Sequence, residues 1–150
     1  MGDELSELYQ QVILDHCRKP RHFHTMPEAN HTAEGKNPFC GDNYTVYLQL
    51  EGDVIQDISF QGSGCCISKA SASMMTGQLQ GKSAADARKL FALYHAMVTT
   101  GAADEEAMGK LGAFAGVHHF PMRVKCAILP WHAMLAALNG EASVSTEVKP

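Results

Sequence analysis

The sequence predicts an α+β domain in which a small antiparallel sheet is followed by helices. Apolar and polar residues alternate over 44–50, which is typical of a strand with one buried face. Apolar residues then recur at helical spacing over much of 67–138. Because 150 residues have room for one hydrophobic core, we expect residues 1–140 to form a single domain. The polar segment 141–150 is expected to be a disordered tail.

The first predicted element is an amphipathic helix, because apolar residues between Leu5 and Ile13 share one helical face. It should end before Pro20, since a proline disfavours helical geometry in the residue that precedes it. The stretch from Pro20 to Pro38 contains three prolines. We interpret it as a loop with a short strand near its end.

A hairpin and a series of helices follow. The strand at 44–50 turns at Glu51-Gly52-Asp53, and Val54, Ile58 and Phe60 are expected on one face of the returning strand. The next helix should end at Gly81, and a capping box of Ser83 and Asp86 should open the one after it. Helices are therefore expected over 67–80, over 83–98, over 104–114, and in a last segment that ends at Asn139.

Composition excludes several classes of protein. The formal net charge is −4, and a nucleic-acid partner is not expected because phosphate binding needs a basic surface. The longest apolar run, 133–138, is far shorter than the roughly 20 residues of a membrane span. The N-terminus lacks the basic start and apolar stretch of a secretory signal, so we expect a cytoplasmic protein with reduced thiols.

Five cysteines, an odd number in a protein expected to be reduced, direct attention to metal or sulfur chemistry. Cys40 lies on a tight loop between a proline and a glycine. Cys65 precedes a helix, whose N-terminus favours a thiolate. Cys126 follows Arg123 and Lys125, two cationic neighbours. Each of these three cysteines therefore has a local reason to ionise.

Asp42 is the natural fourth member of such a site, because zinc prefers four tetrahedral ligands and accepts thiolates and a carboxylate. No Cys-x-x-Cys pair is present, which excludes a zinc ribbon or finger. Spacing alone leaves an alternative open: three separate buried thiols, since free cysteine is among the most buried residue types.

Four segments carry a resemblance to a known family. They are Leu8-Tyr9-Gln10-Gln11-Val12-Ile13-Leu14-Asp15-His16, Asn37-Pro38-Phe39-Cys40-Gly41-Asp42, the stretch from Gly62-Ser63-Gly64-Cys65-Cys66 to Met74-Met75-Thr76, and Arg123-Val124-Lys125-Cys126. In this order they closely resemble the SufU family, a branch of the U-type iron–sulfur assembly proteins alongside IscU and the NifU N-terminal domain. The resemblance runs from about Leu5 to Leu138.

The resemblance implies a fold and a site. The fold is a three-stranded antiparallel sheet with helices packed against it, of the SufE/NifU-like type. The site consists of Cys40, Asp42, Cys65 and Cys126, which in the family bind zinc or receive sulfur and iron during cluster assembly.

An activity and partners are also implied. IscU-type scaffolds carry histidine before the third cysteine, whereas this chain has Lys125, as SufU does. SufU-type proteins act as zinc-dependent sulfurtransferases: they take persulfide sulfur from a SufS-type cysteine desulfurase, a pyridoxal-phosphate enzyme, and pass it to downstream SUF cluster-assembly proteins. The alternative is a scaffold on which a transient iron–sulfur cluster is assembled.

Among the cysteines, we predict Cys40 as the persulfide acceptor, because backbone movement costs least on a loop. Lys125 and Arg123 are expected to supply supporting charge. We interpret Cys66 as a small buried apolar residue and Cys17 as incidental. Pro130 lacks the N–H that the Cys126 carbonyl would accept, which predicts a kink or a late helix start at Cys126.

Overall fold

A computed structural model describes residues 3–146 of the chain. Its helices are α1 (Asp3–Arg18), α2 (Cys66–Leu79), α3 (Ala84–Thr100), α4 (Glu105–Met108) and α5 (Pro121–Leu138), with a 3-10 helix over Gly109–His119. Its strands are β1 (His31–Asn37), β2 (Asp42–Glu51), β3 (Val54–Ser63) and β4 (Ser143–Ser145). The α+β class expected from the sequence is confirmed.

The sheet has four strands in the order β3-β2-β1-β4. Strands β1, β2 and β3 form an antiparallel meander, whereas β4 runs parallel to β1. The expected three-stranded antiparallel sheet is therefore wrong in strand number and in the direction of one pair. The physical reason is α5, which packs on β1 and returns the chain to its free edge, as a parallel pairing requires.

Strand β4 also corrects the expectation of a disordered tail over 141–150 for the residues that the structure describes. The Glu34 N–H donates to the Ala142 carbonyl at 2.9 Å, and the Thr146 N–H donates to the Lys36 carbonyl at 3.0 Å. These bonds tie the segment to β1. Residues 147–150 lie outside the described residues.

The returning strand differs from the prediction at its start. Ile58 and Phe60 are buried as expected, but Ile55 is buried in place of Val54, which is 36% exposed. A register shift between Gln49 and Leu50 separates this end of the hairpin from the rest. Such a bulge exchanges the faces of the strand.

Two helices cover the buried face of the sheet and carry the core. Helix α5 packs on β1, β2 and α2, helix α2 also packs on β3, and α1 packs on α2. The stretch from Ser68 to Thr76 in α2 is almost continuously buried, and its small residues allow this close approach. Within residues 3–146, no helix combines the length and apolar character that crossing a membrane requires.

Most helix bounds follow their sequence signals. Ser83 caps α3, accepting a hydrogen bond from the Asp86 N–H at 3.0 Å. The helix expected over 104–114 is instead a single turn, α4, continued by the 3-10 helix. Gly109, with φ +52°, interrupts the α-helical path between the two.

Helix α5 begins at Pro121, so the expected late start at Cys126 is wrong. A proline fits the first turn of a helix, where its missing N–H costs nothing. Pro130 lies inside the helix. One turn before Pro130, the hydroxyls of Ser71 and Tyr94 donate to the Ala127 carbonyl at 2.6 and 3.1 Å. Side chains of α2 and α3 thereby tie down the backbone next to Cys126.

Candidate metal centre

Cys40 lies on the tight turn that joins β1 to β2. The turn is closed by the facing pair Asn37 and Asp42, and the N–H groups of Cys40 and Gly41 donate to the Asn37 carbonyl at 3.3 and 2.8 Å. Gly41 has φ +74°, a conformation that other residues rarely adopt. Cys40 is exposed, so its sulfur is accessible from solvent.

The side chain of Asn37 stabilises this turn. Its fully buried side-chain carbonyl accepts hydrogen bonds from the Phe39 N–H and the Thr146 hydroxyl, each at 3.2 Å. Its amide donates toward Cys126 Sγ at 3.9 Å. Asn37 therefore joins the turn, α5 and the end of β4. Sequence reasoning did not select it, although an asparagine before a proline is a common turn signal.

Asp42 is a buried carboxylate with one satisfied oxygen. Asp42 lies at the start of β2 and is 1% exposed. Its Oδ1 accepts a hydrogen bond from the Cys65 N–H at 2.9 Å, while Oδ2 is buried with no hydrogen-bond partner among the described residues. A buried carboxylate oxygen in this state is costly without a counter-charge, which fits a metal ligand.

The glycine before Cys65 allows the two segments to meet. A Cβ at Gly64 would collide with Asp42 Oδ1, with Ser68 Oγ and with the Tyr44 hydroxyl. The Tyr44 hydroxyl and Ser68 Oγ are themselves hydrogen-bonded at 2.9 Å. This position must stay a glycine for the Asp42 carboxylate to reach the start of α2.

Cys65 is the N-cap of α2. Its Sγ accepts a hydrogen bond from the Ser68 N–H at 3.4 Å, one of the backbone donors that a helix N-terminus leaves free. Cys126 lies on α5, 2% exposed, and its Sγ lies 3.7 Å from Cys40 Sγ. The thiols of Cys40 and Cys126 thus face each other across the turn.

Three of the four predicted ligands form a close group. One donor atom each from Cys40, Asp42 and Cys126 lie within 4.8 Å of one another. Cys65 stands outside this group of three, but its N–H donates to Asp42 and its thiol interacts with that of Cys126. Three sulfur donors and a carboxylate of this kind suit a borderline-soft dication.

The pKa values of the Cys65 and Cys126 thiols are shifted in opposite directions. The hydrogen bond from Cys126, aided by the Ser68 N–H, lowers the pKa of Cys65 to about 6. The pKa of Cys126 is raised, chiefly because its thiol donates to Cys65, and also by burial and by the Asp42 carboxylate. The expectation that Cys126 ionises readily is therefore wrong for the metal-free protein. A bound cation would remove the cause, because it replaces that proton.

The two predicted cationic residues occupy different positions. Lys125 Nζ lies 5.2 Å from the ring centroid of Phe39, the residue before Cys40. Phe39 is 68% exposed. Lys125 therefore reaches the turn, whereas Arg123 lies exposed in the first turn of α5.

The remaining cysteines are not incidental. Cys17 of α1 and Cys66 of α2 form a disulfide, with Cα atoms 5.2 Å apart. This corrects the interpretation of Cys17 as incidental and of Cys66 as a buried apolar residue. Sequence reasoning missed the pair because Cys17 and Cys66 are separated by 49 positions, and nothing in the pattern around them indicates contact.

Comparison with known proteins gives a consistent result. The family model described as "NifU-like N terminal domain" matches residues 8–127. The chain is 38% identical to the zinc-dependent sulfurtransferase SufU of Bacillus subtilis strain 168, covering 87% of this chain and 88% of that protein. It is 37% identical to the iron–sulfur cluster assembly scaffold protein IscU of Streptococcus pyogenes serotype M1, covering 93% and 88% of the two chains.

A solved structure agrees in fold. The putative iron–sulfur cluster assembly scaffold protein for the SUF system from Fervidobacterium islandicum AW-1 superposes with a TM-score of 0.82 at 35% identity. The match covers 91% of this chain and 99% of the other. With the family model spanning both the Cys40 turn and Cys126, the chain belongs to the NifU-like N-terminal domain family.

Proposed function

We propose that this protein serves iron–sulfur cluster biogenesis as a zinc-dependent sulfurtransferase. It accepts persulfide sulfur from a SufS-type cysteine desulfurase and passes it to downstream SUF cluster-assembly proteins in the cytoplasm. The observation that carries the proposal is the grouping of an exposed cysteine, Cys40, with the buried Asp42 and Cys126 within 4.8 Å. The similarity to a zinc-dependent sulfurtransferase over most of both chains supports it.

The proposed zinc ligands are Cys40, Asp42, Cys65 and Cys126. Asp42 Oδ2 is buried without a hydrogen-bond partner among the described residues, and the Cys65 thiol has a pKa lowered to about 6. Both groups favour a cation beside them. When bound, zinc keeps the cysteine ligands deprotonated and fixes their mutual orientation.

The proposed sulfur transfer takes place at Cys40. Its thiolate attacks the terminal sulfur of the desulfurase persulfide, and a new sulfur–sulfur bond forms on Cys40. The sulfur–sulfur bond of the desulfurase persulfide breaks, and its electron pair stays on the desulfurase cysteine as a thiolate. The terminal sulfur moves without net oxidation or reduction. Cys40 is suited to this step because it is exposed on a turn.

The other residues hold the site in place during this step. Cys65 caps α2 and Cys126 is buried in α5, so both are fixed by their helices. Lys125 lies against Phe39 beside the turn, where its charge offsets part of the negative charge of an incoming persulfide. Arg123 is proposed to add charge at longer range from the exposed start of α5.

A scaffold function is the second candidate. The same set of three thiols and a carboxylate suits iron, and one relative of similar identity is named as an IscU scaffold. In that case an iron–sulfur cluster is the cargo of the site. Metal content and colour separate the two functions, because zinc protein is colourless and cluster-loaded protein is brown.

Desulfurase turnover tests the proposal. Protein purified without air is analysed for metal, then added to a SufS-type desulfurase with free cysteine while alanine formation is followed. We expect colourless protein with bound zinc and a several-fold rise in alanine formation. Cys40→Ser should abolish the rise. Cys17→Ser is the matched control, because it replaces a cysteine that lies outside the group of Cys40, Asp42 and Cys126.

The outcomes are distinct. Brown protein whose addition leaves alanine formation unchanged would favour the scaffold. Full stimulation by Cys40→Ser would contradict Cys40 as the acceptor, even if zinc is present.

A further inference from the structure

Cys17 and Cys66 lie outside the candidate metal centre and meet each other. Cys17 is near the end of α1, and Cys66 is the first residue of α2. Their Cα atoms are 5.2 Å apart and their sulfurs are bonded, a separation within the usual range for a disulfide. Cys40, Cys65 and Cys126 are free thiols. The five cysteines thus divide into three candidate ligands and one pair.

Other contacts hold the two helices together at this point. His16 Nδ1 and Ser73 Oγ are hydrogen-bonded at 2.7 Å, and the Arg21 N–H donates to the same hydroxyl at 2.8 Å. The end of α1 is therefore docked on α2 by groups other than the sulfurs.

Cys65 and Cys66 are adjacent in sequence, but their sulfurs contact different parts of the structure. The Sγ of Cys65 is engaged by the Ser68 N–H at 3.4 Å and by Cys126, on the side of the candidate metal centre. The Sγ of Cys66 is engaged by Cys17, on the side of α1. The pair is therefore separate from the proposed ligand set, although Cys66 begins one residue after Cys65.

Both members of the pair can be reached by a reagent in solution. Cys17 and Cys66 are each partly exposed, whereas Cys126 is 2% exposed. Access by an external sulfur is a requirement for thiol–disulfide exchange.

We propose that Cys17 and Cys66 form a second, redox-active thiol site that exchanges with low-molecular-weight disulfides. One cysteine thiolate attacks a sulfur of the disulfide, forms a mixed disulfide and expels one thiolate. The second cysteine thiolate attacks the protein sulfur of that mixed disulfide, forms the Cys17–Cys66 bond and expels the second thiolate. The pair loses two electrons and two protons, and the reagent gains both as two thiols. A reduced dithiol reverses the reaction.

The consequence for the protein is that oxidation of the pair links the end of α1 covalently to the start of α2. The inference does not depend on the proposed function, since it concerns a reaction of Cys17 and Cys66 alone.

The test uses the full wild-type chain as purified, in anaerobic buffers with graded ratios of oxidised to reduced glutathione. Free thiols are alkylated under acid quench, and the peptides are mapped by mass. We expect a peptide pair linked through Cys17 and Cys66 to appear in one two-electron transition, with metal content unchanged. Absence of this link at the most oxidising ratio would overturn the proposal. So would linkage through Cys40, Cys65 or Cys126 in its place.

Two variants complete the test. Cys17→Ser and Cys66→Ser each leave one thiol of the pair, which should carry a mixed disulfide with glutathione and form no internal link. Circular dichroism checks that each variant is folded. A remaining thiol that stays unmodified in both folded variants would contradict exchange. If a variant does not fold, the wild-type link still decides. If the protein binds no zinc, the proposed function is contradicted, but the link between Cys17 and Cys66 can still be measured.

Discussion

The turn that carries Cys40 and the helix that carries Cys126 bring their sulfurs to 3.7 Å, yet they are held in opposite ways. Cys40 is exposed on the turn between β1 and β2. Cys126 is 2% exposed within α5, whose backbone is fixed nearby by Ser71 and Tyr94. One sulfur can move at little cost, and the other cannot.

This difference indicates separate roles for the two cysteines in the proposed site: Cys40 reacts, and Cys126 keeps the site intact. A ligand that also reacts must leave its place without disturbing the core, and loops provide that freedom. A ligand that keeps the site intact is better placed on packed helices.

Removing a buried ligand should affect both binding and folding. Cys126→Ala should weaken zinc binding about a hundredfold to a thousandfold, since a four-ligand site worth roughly 10–16 kcal/mol loses about a quarter of that. In the metal-free state it should also lower the free energy of unfolding by about 1 kcal/mol, roughly 2–4 °C in melting temperature. Competition with a zinc indicator and thermal melts measure the two effects.

Cys40→Ala provides the comparison. It should weaken zinc binding to a similar degree but leave the metal-free unfolding free energy within about 0.5 kcal/mol, because the side chain is exposed. Equal destabilisation of both metal-free variants would remove the proposed difference between the turn and the helix.

The buried side-chain amide of Asn37 should contribute to stability although it takes no part in the reaction. Asn37→Ala leaves the Phe39 N–H and the Thr146 hydroxyl without their acceptor, at a cost of about 2–3 kcal/mol, or roughly 5–10 °C. Asn43→Ala, an exposed asparagine on β2, is the matched control. Melting temperatures that fall equally in both variants would show that Asn37 has no special role.

The pH dependence of alkylation tests the interaction between the thiols of Cys65 and Cys126. In metal-free protein, the lowered pKa keeps Cys65 as thiolate above about pH 6, below the usual thiol value of about 8.5. Iodoacetamide labelling of the Cys65 peptide should therefore rise around pH 6. Cys126→Ala removes the main cause of the lowered pKa and should move this midpoint upward. An unchanged midpoint would mean that Cys126 does not set the Cys65 pKa.

The smallest effect is expected at Lys125. Lys125→Ala should retain zinc and slow sulfur acceptance about two- to fivefold, the size of a cation–π contact of about 0.5–1 kcal/mol. Lys89→Ala, an exposed lysine of α3, controls for loss of charge alone. Loss of zinc in Lys125→Ala, to the extent seen in Cys126→Ala, would assign this lysine a different role.

The sequence predicted those parts of the fold that depend on local pattern. The hairpin turn at Gly52, the Ser83 cap and the end of α1 before Pro20 all have signals within a few residues. Strand β4 was missed because Ser143–Ser145 is short and polar, and its pairing with β1 depends on the path of α5. Local pattern does not report such long-range contacts.

The same limit applies to the site. Sequence reasoning selected Cys40, Asp42, Cys65 and Cys126. The fold brings donor atoms of three of them, Cys40, Asp42 and Cys126, within 4.8 Å, and places Cys65 outside that group. Sequence reasoning did not find Asn37, whose importance arises from partners on α5 and after β4. It also gave the wrong ionisation for Cys126, because the hydrogen bond to Cys65, burial and the nearby Asp42 raise its pKa and outweigh the sequence neighbours that were considered.

The most direct test of the division between turn and helix is the position of the persulfide. The wild-type protein is mixed with a SufS-type desulfurase and free cysteine, persulfides are trapped by alkylation, and the modified peptides are identified by mass. We expect the added sulfur mainly on Cys40, with Cys65 and Cys126 unmodified. Persulfide mainly on Cys65 or Cys126, with Cys40 unmodified, would contradict it.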